Sequence, residues 1–267
     1  MPMDANATST IDTEIARRLH RALTGDKEDI HTLVNDPSPE VLVNLLRNEA
    51  LDENHLLALL KRRDLSEELL KALYRHPLVE GSHRLKVSLV QNPATPGGVI
   101  LALLSHLHLF ELVTVCHLPG VTPDQRYAAE RAILQRLPLT PLGNKITLAR
   151  RGTATVVAEL LKAGEPPVVE VCLDNPHLKE GALFQFVSSG RATAETISMV
   201  ARHSRWSGRP NLQLAILRNV NTPPIWYTLF LPRHSLAELR SLLHGRHLPT
   251  LQRQAVEEEI TKRGNRP

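Results

Sequence analysis

Apolar residues recur along this chain at steps of one, three and four, as in Val99, Ile100, Leu103 and Leu104. That spacing draws one apolar stripe down the side of an α-helix. The stripe breaks and restarts many times. It predicts helices over residues 12–23, 27–34, 39–47, 53–61, 66–75, 83–91, 96–105, 109–116 and 123–136. A second series follows over 145–151, 154–162, 167–173, 180–187, 193–202, 210–218, 223–231, 236–243 and 249–262. Leucine fills most of the apolar positions and aromatics are only 3% of the residues, a balance that favours helix over strand.

The residues between the stripes read as punctuation. Thr95-Pro96, Thr122-Pro123, Thr140-Pro141 and Thr222-Pro223 each place a hydroxyl before a proline. Threonine at an N-cap accepts from a free helix amide, and proline at the first helical position forfeits no bond. Asn48, Asn92, Asn175 and Asn219 each follow an apolar helical run. Asparagine tolerates the left-handed conformation that ends helices, so the four read as C-caps, with a ligand-binding asparagine ladder as the alternative.

Sliding the sequence along itself by 127 positions aligns residues 21–137 with 148–264 without a gap. Arg75, His76, Gly81, Leu85, Asn92, Thr95 and Pro96 meet Arg202, His203, Gly208, Leu212, Asn219, Thr222 and Pro223. Identities continue through Leu104, Glu111, Leu112 and His117 onto Leu231, Glu238, Leu239 and His244. Upstream, Leu46, Asn48, Leu51, Glu53 and Leu56 meet Leu173, Asn175, Leu178, Glu180 and Leu183. A shorter echo of 44 residues separates Asn48 from Asn92 and Asn175 from Asn219. Periods of roughly 20–50 residues built from helices mark α-solenoids.

Leu45-Leu46-Arg47-Asn48 and Ile216-Leu217-Arg218-Asn219, the latter followed by Asn221-Thr222-Pro223, resemble HEAT-like repeats of the leucine-rich-repeat-variant kind. The segments VSLVQNPATP, KITLARRGTATVV, CLDNPHL and LAILRNVNTP are similar to a group of uncharacterised bacterial HEAT-like proteins. The resemblance covers nearly the whole chain after the first dozen residues. It implies an all-α fold, a right-handed superhelix of stacked helix pairs, and a role in binding proteins, and it carries no catalytic residue set. The expected organisation is a disordered tail over 1–11, one continuous α-solenoid over 12–264 made of two tandem copies, and a C-terminal tail over 265–267.

Charge changes the picture by its distribution. Residues 1–76 hold ten Lys/Arg against fourteen Asp/Glu, residues 77–198 eleven against ten, and residues 199–267 eleven against four. A basic end attracts nucleic acid, an acidic protein surface or a membrane surface, or is simply solvated. No apolar run is long enough to span a bilayer, and the first ten residues lack the pattern of a signal peptide. Cys116 and Cys172, the two cysteines, lie in apolar runs and read as buried thiols of a reducing compartment. The expected location is the cytoplasm.

Candidate chemistry is sparse. His106 and His108 diverge by about 200° on a helix, and neither has a carboxylate or second histidine four residues on, so no metal ligand set is expected. Gly97-Gly98 lacks the Lys-Ser/Thr of a phosphate loop, and Ser188-Ser189-Gly190 and Ser204 lack a nucleophile's strand-turn-helix setting. No catalytic residue and no cofactor is expected.

Two loops stand out instead. Arg75 and His76, with His83 and Arg84 close by, are echoed by Arg202 and His203 with Arg205, Trp206 and Arg209. Arginine and tryptophan suit binding hot spots and phosphate contacts, whereas arginine and histidine also simply cap a preceding helix. Trp226, Tyr227 and Phe230 align with aliphatic Val99, Ile100 and Leu103 and read as core, which leaves Trp206 as the tryptophan expected at the surface. With Arg218, these arginines would form a basic face. The stretch RWSGRPNLQLAILRN is similar to part of the HEAT-like DNA glycosylases, with Asp174 as the best acidic candidate, although Asp174 occupies a repeated helix end where the first half has Arg47. The expected function is a non-enzymatic scaffold for a protein or peptide, with nucleic-acid binding by the basic C-terminal repeats as the alternative.

Overall fold

Helices start where the apolar stripes start. The computed structural model describes residues 5–244 and 248–264, with side chains described from residue 13 onward. Among these residues there are nineteen α-helices, three single 3-10 turns and no strand, so the fold is all-α. By contact the chain divides into two compact units, Met1–Ile133 and Leu134–Pro267. The sequence expectation was one continuous array. The division falls inside the helix that spans Pro123–Arg136, near the end of the first aligned half.

Unit 1 runs α1 (Ala5–Thr24), α2 (Lys27–Leu33), α3 (Pro39–Leu45), α4 (Glu53–Leu59), α5 (Glu67–Tyr74), α6 (Pro77–Gly81), α7 (His83–Gln91), α8 (Gly97–Leu103), α9 (Leu109–Cys116) and α10 (Pro123–Arg136). Unit 2 runs α11 (Leu142–Arg151), α12 (Ala154–Ala163), α13 (Pro166–Asp174), α14 (Glu180–Val187), α15 (Ala194–Arg202), α16 (Pro210–Arg218), α17 (Pro224–Phe230), α18 (Leu236–Leu243) and α19 (Thr250–Gly264). The starts at 27, 39, 53, 67, 83, 97, 109 and 123 recur at 154, 166, 180, 194, 210, 224, 236 and 250.

The largest departures from the sequence expectation are at α1 and α6, the other ends shifting by up to three residues. Helix α1 begins at Ala5, inside the segment read as a tail. The five-residue α6 was not expected, and it follows Pro77 with His76 as its cap. The tails' remaining residues, 1–4 and 265–267, lie outside the described residues.

Within each unit a helix packs on its neighbour and on the next but one, as α11 does on α12 and α13, and α12 on α13 and α14. The core between these layers is aliphatic, with Ile30, Leu45, Leu56, Leu69, Leu85 and Leu112 fully buried in unit 1. Leu148, Val157, Val169, Leu183, Ile197 and Leu212 do the same in unit 2. Burying such a side chain contributes about 1.5–3 kcal/mol, so this stripe-on-stripe packing stabilises helices too short to persist alone.

The four asparagines join successive layers. None has the left-handed backbone that the cap reading expected: Asn92, Asn175 and Asn219 are C-caps with φ of −72°, −64° and −78°, and no non-glycine residue among those described has positive φ. Their side chains do the work instead. Asn48 Nδ2 donates to the carbonyls of Ala22 and Gly25, both at 3.0 Å. Asn92 donates to Leu60 and Arg62, Asn175 to Ala149 and Gly152, and Asn219 to Val187 and Ser189. Each Oδ1 accepts from the amide two residues on, at 2.7–2.9 Å. A buried amide is thus satisfied while it closes the carbonyl end of the preceding helix layer. This is a structural ladder.

The threonines before prolines are also re-read. Thr95, Thr140 and Thr222 donate their hydroxyls backward, to the carbonyls of Leu89, Arg136 and Ile216. Thr122 caps as expected, accepting from Gln125 N at 3.3 Å while its own amide donates to Gln125 Oε1.

Candidate functional site

In unit 2 the ends of α10 and α12 with parts of α11, α13 and α14 border a cleft of about 810 Å³. Its apolar lining includes Leu137, Leu160, Val168 and Phe186, and its charged lining Lys145, Glu159, Lys162, Glu165 and Arg191. Lys145 Nζ donates to Glu165 Oε1 at 2.5 Å, and Lys162 Nζ to Glu159 Oε2 at 2.6 Å. Arg191 is exposed, and among the described residues its guanidinium makes no ion pair. Gly164 ends α12 with φ +70°, and a Cβ there would stand 3.0 Å from the Arg191 carbonyl. The glycine lets the helix end approach the 189–191 turn closely.

The corresponding positions of unit 1 are filled. Arg18, at the place of Lys145, donates to both carboxylate oxygens of Asp36 at 2.9 and 2.8 Å. Arg62, at the place of Ser189, donates to the carbonyls of Val34 and Asp36, both at 2.8 Å, and pairs with Asp64. Unit 2 has Ala163 where unit 1 has Asp36, Ala182 for His55, and Gly190 for Arg63. Its lysine turns to Glu165, at the place of Ser38. The cleft is where unit 2 has exchanged bulk for space. A site of several hundred Å³ with apolar walls and few polar groups is the usual form of a binding pocket.

A second constellation lies in unit 1. His83 opens α7 and His108 precedes α9, whose third residue is Glu111. His83 Nε2 stands 2.9 and 3.0 Å from the two Glu111 oxygens, and the two imidazole rings lie 4.3 Å apart by centroid. The His108 amide donates to Glu111 Oε2 at 2.6 Å. Burial opposes ionisation of Glu111, but the His108 amide and the His83 ring together hold its carboxyl below the usual range. A ligand pair on one helix would place its second donor four residues from His108. The carboxylate is three residues on, and the second imidazole comes from another helix.

The residues singled out in the sequence differ in burial and in partners. Trp206, expected at the surface, is 3% exposed. Its Nε1 donates to the Leu173 carbonyl at 2.9 Å, and the Arg205 guanidinium lies 4.3 Å from its ring centre. The Leu46 carbonyl, at the same repeat position as Leu173, is met in unit 1 by His76 Nε2 at 3.1 Å. Arg205 also donates to the carbonyls of Asn175 and Leu178, at 2.8 and 3.1 Å. His203 Nε2 pairs with Asp174 Oδ1 at 3.0 Å, and Asp174 is 79% exposed rather than set in an aromatic cleft. Arg84 reaches Glu53 at 3.6 Å and Arg209 reaches Glu180 at 3.8 Å, both loosely. Arg75, Arg202 and Arg218 are exposed and make no ion pair among the described residues. Arg75 lies beside Tyr74 and Pro96, Arg218 beside Phe184 and Asn211.

Tyr227, Phe230 and the two thiols are interior. Tyr227 and Phe230 are buried, and the Tyr227 hydroxyl donates to the Leu217 carbonyl, while Trp226 is half-buried and donates to Ser198 Oγ at 3.0 Å. Cys116 and Cys172 are free and buried, and burial pushes both thiols up to about 12. No helix of the described residues is long and apolar enough to cross a membrane. No protein-family model, curated protein or solved structure matches the chain.

Proposed function

We propose that the chain is a helical-repeat scaffold of the solenoid kind, without catalysis, that binds a protein or peptide partner through the cleft of unit 2. The observation that carries this reading is the contrast between repeated positions. The asparagines and core leucines are held in common, whereas Arg18, Asp36 and Arg62 give way to Lys145, Ala163 and Ser189 where the cleft opens. Repeat arrays are stabilised by their layer contacts, which leaves the remaining surface positions to recognise a partner. The chemistry of the lining selects a peptide with a leucine or phenylalanine next to an aspartate or glutamate. The apolar side chain enters between Leu160 and Phe186, and the carboxylate meets Arg191.

The second reading, nucleic acid, rests on the positive surplus of residues 199–267. Burial of Trp206 withdraws the base-stacking group that reading relied on. The two separate on salt, because neutralised phosphates impose a steep loss of affinity as salt rises. The test is fluorescence anisotropy with labelled peptides carrying Leu-Asp or Phe-Glu pairs, beside a labelled oligonucleotide. Expected is saturable peptide binding that Ser189→Arg with Ala163→Asp weakens by at least about tenfold, a difference worth about 1.4 kcal/mol. Peptide binding untouched by that double variant would remove the cleft from the proposal.

A further inference from the structure

The His83, His108 and Glu111 constellation has no part in the proposed cleft, and helix capping alone does not explain it. Glu111 caps α9 through the His108 amide, and that needs only a carboxylate. Unit 2 shows the minimal form of the same cap: Glu238 Oε2 accepts from the Ser235 amide and hydroxyl, both at 2.8 Å. There the position of His108 is Ser235, and the position of His83 is Pro210. Unit 1 therefore keeps the cap and adds two imidazoles to it, from residues 25 positions apart in sequence.

We propose that His83, His108 and Glu111 bind a divalent transition-metal ion of the zinc class. Each residue offers one donor atom, and the three donors lie within 4.8 Å of one another. A tetrahedral ion with bonds of about 2.0–2.1 Å sets its ligands roughly 3.3 Å apart, so small side-chain rotations complete the set. Both rings hang from helix starts, where the backbone is held by α7 and α9 and the side chain alone has to turn. Two imidazoles with one carboxylate select zinc, nickel or cobalt over calcium and magnesium, which favour all-oxygen sites. His83 and Glu111 are partly exposed and His108 is exposed, so the ion has a path in and keeps open positions for water or a further ligand.

The test is calorimetric titration of zinc chloride into the full chain, with cobalt absorption as a second readout of ligand type. Histidines number 13, so site variants carry the argument. His108→Ser is the informative one: it installs the residue that already caps α18 beside Glu238, and so removes a ligand without removing the cap. The expected result is one saturable site in the wild type, weakened at least about tenfold in His108→Ser and in His83→Ala, and unchanged in His106→Ala. Zinc should raise the melting temperature of the wild type and leave that of His108→Ser where it was, because only a native-state site couples binding to stability. Absence of a saturable site in the wild type, or wild-type affinity in His108→Ser, overturns the assignment.

Discussion

Unit 1 and unit 2 answer the same geometric problem with different side chains. In unit 1 Arg18 grips Asp36, and Arg62 spans from Asp64 to the carbonyl end of α2. In unit 2 Lys145 pairs instead with Glu165, Ser189 is too short to span, and a cleft of about 810 Å³ stands at those positions. The asparagine ladder recurs in both, and most buried apolar positions do too, apart from aromatic replacements such as Trp206 for Val79 and Phe230 for Leu103. The shared frame and the cleft therefore rest on separate sets of residues, and the second set changes without disturbing the first.

The comparison predicts a ranked series of effects. The largest belongs to the shared frame. Asn48→Leu and Asn175→Leu each strip two or more buried carbonyls of their donor, and each should cost roughly 2–4 kcal/mol. Hydrogen exchange resolved by unit measures the two losses, and a wide difference between them would break the claim of a common frame.

Next come the positions where the units differ. Arg62→Ser removes donors from the Val34 and Asp36 carbonyls and a partner from Asp64, for an expected loss of about 2 kcal/mol. Ser189→Arg, the reverse exchange, should fall within about 1 kcal/mol of wild type, because it builds into open space. Urea titration checks both, and equal losses would mean that the cleft is already structurally constrained.

His234 gives a smaller and pH-dependent effect. It is 3% exposed, its Nε2 is buried without a hydrogen bond, and it sits where unit 1 has Leu107. Burial pushes its imidazole below the ordinary value, with Arg263 acting in the same sense and Glu238 against it. A depressed folded value means full stability above the unfolded pKa of about 6.5, and stability lost as pH falls below it. His234→Leu should flatten the wild type's decline in stability as pH falls below about 6.5. Melting temperature against pH reads it, and an unchanged slope would move the decline to other groups. The smallest effect is Lys162→Ala. Its pair with Glu159 leaves the two side chains 61% and 43% exposed, so a change of a few tenths of a kcal/mol in thermal stability is expected.

Much of this frame was legible in the sequence because repetition supplies the reading twice. A helix start ambiguous in one half, such as that at Glu53, is settled by Glu180 in the other. The asparagines were read as C-caps, and Asn92, Asn175 and Asn219 do stand at that position, but with extended rather than left-handed backbone. Their backbone bonds are local, but the side-chain bonds cross 23–32 residues and become visible only with the layers in place. Trp206 was misplaced for a related reason: an arginine-rich loop reads as surface, while its ring fills the position of Val79, 0% exposed. The cleft left no motif, since it consists of side chains made smaller. Setting Asp36 against Ala163 and Arg62 against Ser189 was the signal that could have found it.

The recurrence of helix starts at a fixed interval also bears on how the chain reaches its fold. Similarly patterned segments in a single polypeptide can exchange before either unit is complete, a known failure of multidomain chains. Here the exchanged partners would mismatch. An α1 docked against α12 and α13 would bring Arg18 to Ala163, where it has no Asp36 to grip. Such an exchange would give up the bidentate Arg18–Asp36 pair and leave Arg18 with the Glu165 that Lys145 uses.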